Sequence, residues 1–207
     1  DQIDSELVTV ASRCVRSEFS PIDEAAIADA LVADGHPRAV ADPAAAAAAG
    51  NLDRARVLVT DPGLAARRAA FASIPGRLDG TGFTVVTLAD EIVSLADHAA
   101  ASLAPLHAAD VAALEERVAS AGERGSGRKA LEERHKREVR RYRTDELRTG
   151  LSVMAGVYRD VLVRGTATRP DAAMRAVHRI HAALEALERN PNEALLLQAL
   201  LLDLPTP

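Results

Sequence analysis

Helix punctuation is the feature that most restricts what this chain can fold into. Ser20-Pro21-Ile22-Asp23 and Asn190-Pro191-Asn192-Glu193 carry one pattern. Each opens with a side chain able to accept a hydrogen bond at the N-cap, continues with proline at the first helical position, and places an acid at the third. Gly35, Gly50 and Gly165 stand where runs of helical periodicity stop, as helix C-termini prefer. Hairpin signals of the Asn-Gly type are few. The chain is therefore expected to be mainly α.

The material for a core is unusual. Hydrophobic residues make up 48% of the sequence, much of it alanine, while aromatics are 2% and Trp is absent. Such a core is built of Leu, Val and Ala on closely packed helices. The 207 residues suffice for one large or two modest domains. The one cysteine, Cys14, excludes an internal disulfide framework and a Cys-based zinc cluster, and suits a reducing cytoplasm. No stretch approaches the ~20 apolar residues of a membrane span and no signal peptide is seen, so the chain reads as soluble, cytoplasmic and without a membrane partner. A formal net charge of −5 argues against nucleic-acid binding over the whole surface; any such contact is local or made through partners.

In chain order, residues 1–19 read as a short helix or turn followed by a strand over Val15 to Phe19. Arg13 lies at the junction before that strand. An arginine there is either an ordinary salt-bridged surface residue or one that reaches outward, its planar fork suited to phosphate oxygens. Residues 20–60 read as a three-helix module. Its first helix runs from Pro21 to about Asp34 with a stripe of Ile22, Ala26, Ile27, Ala30 and Leu31; the second is the Pro43–Ala49 alanine run; the third opens at Asn51. Residues 61–207 read as a bundle of about five helices. Asp61 is expected to cap one that Pro75-Gly76 breaks, and Thr87 with Asp90 to open another. Gly122 to Gly127 is a linker. Leu147, Leu151, Met154, Tyr158 and Val161 form an amphipathic stripe, and Met174, Val177, Ile180, Leu184 and Leu187 form a second. The last helix, with Leu196, Leu200 and Leu201, is apolar on most sides and requires burial against several neighbours or another subunit.

Self-contained chemistry is scarce. Of the six histidines only His178 and His181 share a helix at a metal-compatible spacing, and no H-E-x-x-H accompanies them, so no metal is expected. There is no phosphate-cradling P-loop and no G-x-S-x-G, and Cys14 has no evident base, so an independent hydrolase is not expected. One charged run stands out: Arg134, Lys136, Arg137, Arg140, Arg141 and Arg143, interleaved with Glu132, Glu133 and Glu138. On a helix these wrap around much of the circumference. The run is either a solvated face with local ion pairs or a contact for DNA phosphates or an acidic partner.

Several separated segments carry a resemblance. Thr9-Val10-Ala11-Ser12-Arg13-Cys14 resembles the Thr-[Ile/Val]-x-Ser-Arg-Cys motif that closes the AAA+ core of clamp-loader subunits. Ala49-Gly50-Asn51-Leu52-Asp53-Arg54-Ala55 is similar to their lid turn, Glu133–Arg148 to an actinobacterial-type collar segment, and Asn190-Pro191-Asn192 with its leucine run to the terminal collar helix. Together they are similar to delta-prime subunits of the bacterial DNA polymerase III clamp loader. The resemblance implies the end of an AAA+ α/β core (1–19), a small helical lid (20–60) and a helical collar (61–207), with the rest of the core upstream of Asp1 in a longer protein. It implies Arg13, flanked by Ser12 and Cys14, as a finger acting in trans on ATP held by a neighbouring motor subunit, with no cofactor bound by this chain. It implies a hetero-oligomeric ring of motor and delta-type subunits that places the sliding clamp on primed DNA, as part of the polymerase III holoenzyme. Collar packing falls to Leu147, Leu151, Met154, Tyr158, Leu196, Leu200 and Leu201. Motor subunits carry a nucleotide-sensing arginine at the third position after the lid glycine; here that position is Asp53, with Arg54 one residue late. This favours the delta-prime type over the gamma/tau-like motor. The remaining alternatives are that motor, which would require an upstream P-loop, and a helical interaction module without a nucleotide role.

Overall fold

A computed structural model describes residues 20–121, 127–189 and 191–206. The expected strand at Val15–Phe19 and the Ser12-Arg13-Cys14 motif lie outside them. The described residues are mainly helical, and the chain divides into two compact units, 1–59 and 60–207.

In the first unit α1 (Glu24–Ala33), α2 (Arg38–Ala47) and α3 (Leu52–Val59) pack on one another. Ile27, Leu31 and Leu58 are buried there together with Ala41, Ala44, Ala45, Ala48 and Ala55. Methyl-sized side chains let helix backbones approach closely, which is how a core forms here without aromatics. Ser20 does not cap α1, as the sequence pattern suggested; Asp23 does, accepting from the Ala25 N–H at 3.3 Å. The reason is tertiary. The Ile22 N–H donates to the Gly50 carbonyl at 3.1 Å, and Pro21 lies so close that a Cβ on Gly50 would overlap its ring. Gly50, at φ 81°, thus serves both a left-handed backbone and a close approach. α2 begins five residues before the alanine run and carries Pro43 in its interior. Burial of Ala41, Ala44, Ala45 and Ala47 on that helix offsets the backbone bond the proline removes. Asn51 caps α3 through the Arg54 N–H at 3.0 Å.

The second unit contains α4 (Leu64–Arg77), α5 (Gly82–Ala100), α6 (Ala104–Ala121), α7 (Arg128–Val163), α8 (Pro170–Ala186) and α9 (Glu193–Asp203), with short 3-10 turns at Ala101–Leu103 and Leu187–Arg189. α7, 36 residues long, spans ~54 Å. Its C-terminal half is the axis of the bundle: α4, α5 and α8 pack on it, and α9 closes against α5 and α8. Leu147, Leu151, Met154 and Tyr158 are fully buried there, joined by Leu200 and Leu201 from α9, with Leu196 packed at the edge. α9 leaves Leu195 and Leu202 exposed. On α8 the buried face is Ala172, Ala173, Ala176, Ile180 and Ala183, turned away from the expected Met174, which is exposed. Small residues face α7 because the helices cross closely there.

Helix boundaries shift where side chains offer better partners. Asp61 does not cap α4 directly; it accepts from the Gly63 N–H at 2.8 Å, and the helix starts at Leu64 and runs through Pro75 to Arg77. α5 starts at Gly82, not at Thr87. Thr81 caps it, and Asp79 gathers the Thr81 N–H, the Thr81 hydroxyl and the Thr84 hydroxyl within 2.9 Å. Those three donors hold the Asp79 carboxyl below the usual carboxylate range, the backbone N–H foremost. Thr87 instead turns its hydroxyl onto the Phe83 carbonyl inside the helix. Asn192 caps α9 through the Leu195 N–H at 3.1 Å, two residues after Asn190, which lies outside the described residues. Among the described residues no helix is long and apolar enough to cross a membrane.

Candidate functional site

The charged run of α7 divides into two sets once its neighbours are in place. Arg134 and His135 both engage Asp110 of α6, His135 at 3.1 Å. These contacts, the His135 hydrogen bond first, hold the Asp110 carboxyl low. Lys136 pairs with Glu133 at 2.8 Å, which raises the lysine and lowers the glutamate. Arg143 is clasped between Asp97 of α5 and Glu193 at the start of α9, the latter at 2.6 Å. Arg134, Lys136 and Arg143 are thus spent on internal pairs.

Arg137, Arg140 and Arg141 are exposed. With Thr144 and Arg148 they line one wall of an open groove of about 630 Å³, whose other side is Leu187 and Glu188. Positions 137, 141, 144 and 148 advance by four, three and four residues, so they fall on one face of the helix. Tyr142 and Glu146, on the opposite side of the helix, are buried. Arg148 was not singled out in the sequence run; the signal that finds it is this same spacing carried one further turn. Its Nη2 donates to Glu188 at 3.1 Å, while its buried Nε–H has no acceptor among the described residues.

Two other clusters have plainer roles. The rings of His107 and His135 stack with centroids 3.9 Å apart, linking α6 to α7, and His107 Nε2 lies 3.2 Å from Glu138. Deeper in, Arg67 of α4 donates to Glu146 at 3.0 Å and to Asp61 at 2.7 Å, and all three side chains are buried. Burial is the largest influence on the Arg67 guanidinium and opposes its charge, but the two carboxylates together hold it above its ordinary value. This triad is a structural clasp between the approach to α4 and the middle of α7; no spacing in the chain marks it, because Asp61 and Glu146 are far apart in sequence.

His178 and His181 line a separate cleft of about 370 Å³ between α7 and α8 with Arg159, Met174 and Val177. Among the described residues no group of three His, Cys, Asp or Glu side chains is placed to hold a metal. In the first unit Asp53 is 96% exposed, whereas Arg54 is 8% exposed. Comparison with family models, with curated proteins and with solved structures gave no match.

Proposed function

We propose that this chain is the C-terminal part of a delta-prime-type clamp-loader subunit: a non-hydrolysing member of a ring that opens a sliding clamp and sets it on primed DNA. The observation that carries the reading is the order of its motifs: Ser12-Arg13-Cys14, then the Gly50-Asn51 turn, then Asn192-Glu193 with its leucine run. Three features support it. A small helical unit is followed by a larger helical bundle. At the lid turn an exposed acid, Asp53, stands where a motor would offer an arginine, and Arg54 is buried. Leu195 and Leu202 are exposed on α9, where a neighbouring collar would cover them.

In this reading Arg13 performs the chemistry. Its guanidinium reaches the γ-phosphate of ATP held by the adjacent motor and stabilises charge on the transferring phosphoryl group, an effect worth on the order of 10³–10⁵ in rate elsewhere. A P-loop on its own chain is not needed for this. The test is Arg13→Ala in the full-length protein, reconstituted with motor subunits and clamp. DNA-stimulated ATP hydrolysis should fall severalfold while the complex still assembles on a sizing column. Unchanged hydrolysis would refute the finger.

A further inference from the structure

We infer that the Arg137–Arg148 stripe of α7 is a binding site for the phosphate backbone of duplex nucleic acid, held without reading its sequence. The inference goes beyond the proposed function, which gives this face no role, and it concerns this chain alone.

The geometry carries it. Arg137, Arg140, Arg141 and Arg148 lie along one wall of a single groove. Eleven residues of helix set its ends ~16 Å apart. Arg137, Arg140 and Arg141 are exposed, Arg137 within the field of Glu133, whereas the nearby Arg134, Lys136 and Arg143 are in direct contact with acids of the same chain. Three exposed arginines thus line the groove, and Arg148 joins them while held by Glu188. All four groove cations are arginines, whose forked donors match phosphate oxygens bidentately. Thr144 lies on the same wall, its hydroxyl donated to the Arg140 carbonyl at 3.1 Å.

The lining also selects among anions. A protein partner would need an apolar or aromatic anchor at the centre of its contact. The groove offers only Leu187, itself buried. Single-stranded nucleic acid is held largely by stacking on aromatic side chains, and none lines this wall. A duplex backbone needs neither, since phosphate contacts alone supply non-specific affinity. Two acids share the groove. Asp145 lies on the α7 side, and Glu188 faces it, accepting from Arg148 with its own side chain 68% exposed. Glu188 competes with a phosphate for the same donor, so its removal should favour binding.

The experiment is fluorescence anisotropy of a short labelled DNA duplex titrated with the 207-residue chain. Affinity should lie at about 10⁻⁴–10⁻⁶ M, with log K falling against log salt at a slope of about −3 for three to four neutralised phosphates. Arg137→Gln/Arg140→Gln/Arg141→Gln should weaken binding at least tenfold. Arg141→Gln alone should flatten the slope by about one. Glu188→Gln should tighten binding severalfold, and Arg164→Gln/Arg175→Gln, away from the groove, should leave it unchanged. If the triple variant loses helicity by circular dichroism, Arg141→Gln and Glu188→Gln decide the matter, because they move affinity in opposite directions. The proposal is overturned by no duplex binding, by groove variants that bind like the parent, or by poly-glutamate or a single strand displacing the duplex as well as unlabelled duplex does. No motor or clamp is present in this assay, so its outcome is independent of the ATPase test of Arg13.

Discussion

A glycine in the middle of α7 sets how closely two helices meet. Gly150 is buried, and a Cβ there would overlap the ring of Phe71, which is itself 1% exposed. Glycine inside a helix costs about 0.5–1 kcal/mol relative to alanine. The gain lies in the ring that fills the space, one of few aromatics in the chain. Gly150→Ala should therefore destabilise the protein despite its better helix propensity, by about 1–3 kcal/mol of overpacking. Urea unfolding checks this, and adding Phe71→Leu to the same chain should recover part of the loss. At the same scale, Arg67, Asp61 and Glu146 show how a buried charge is tolerated: a guanidinium out of water is held by two carboxylates in hydrogen-bond contact. Removing one partner from such a set leaves an uncompensated charge.

Among the elements, α4 and α5 are joined by a clasp whose strength depends on pH. Arg77 donates both Nη groups to Glu91, at 2.8 and 2.7 Å. The pairing holds the Glu91 carboxyl below its ordinary value of 4.5, chiefly through the Arg77 hydrogen bond. The folded state thus favours the ionised carboxylate. Its stabilisation is complete above pH 4.5 and is lost as the pH falls through the lower folded value. Both side chains are partly exposed, so solvent screening limits the pair to about 0.5 kcal/mol. The stability difference between parent and Glu91→Gln should be measurable at pH 7 and shrink as the pH falls below 4.5 and through the lowered carboxylate value; a difference that stays constant over that descent would exclude the clasp. α7 shows a second contrast along its length. Its C-terminal half is packed on several sides, and Tyr158 donates its hydroxyl to the Pro205 carbonyl at 2.5 Å, tying in the chain after α9; burial pushes that phenol well above its ordinary value. Its N-terminal half meets α6 across ion pairs and the stacked histidines, and through Arg143 it also reaches Asp97 of α5 and Glu193 of α9. The phosphate-facing stripe begins in that half and runs on where the helix joins the core.

At the scale of the whole molecule the chain is two units with separate cores. Phe71, Ile92, Leu147, Met154, Ile180, Leu197 and Leu201 belong to one continuous cluster, wholly within residues 60–207. A unit that closes its own core should fold alone. Residues 60–207 expressed by themselves should keep high helicity and melt cooperatively by circular dichroism; a broad, non-cooperative melt would show that the remainder is required.

The sequence by itself determined the helical class, most helix terminations and much of the core. Gly35 and Gly165 end helices where expected, their N–H groups turning back on the carbonyls of Val32 and Leu162. Leu147, Leu151, Met154 and Tyr158 are buried as their spacing implied. These are local properties, set by backbone conformation and a 3.6-residue period, and a chain carries them without its neighbours. Helix starts were less legible. Asp23, Gly63 and Thr81 became the cap positions because Gly50 packs on Pro21, Asp61 turns to Gly63 and Arg67, and Asp79 gathers the Thr81 and Thr84 hydroxyls. Only the tertiary structure decided which acids hold Arg134 and Arg143 and which arginines of α7 stay exposed along a groove. That choice rests on Asp97, Asp110 and Glu193, which lie on other elements, and an ion pair across elements leaves no periodic mark in a sequence.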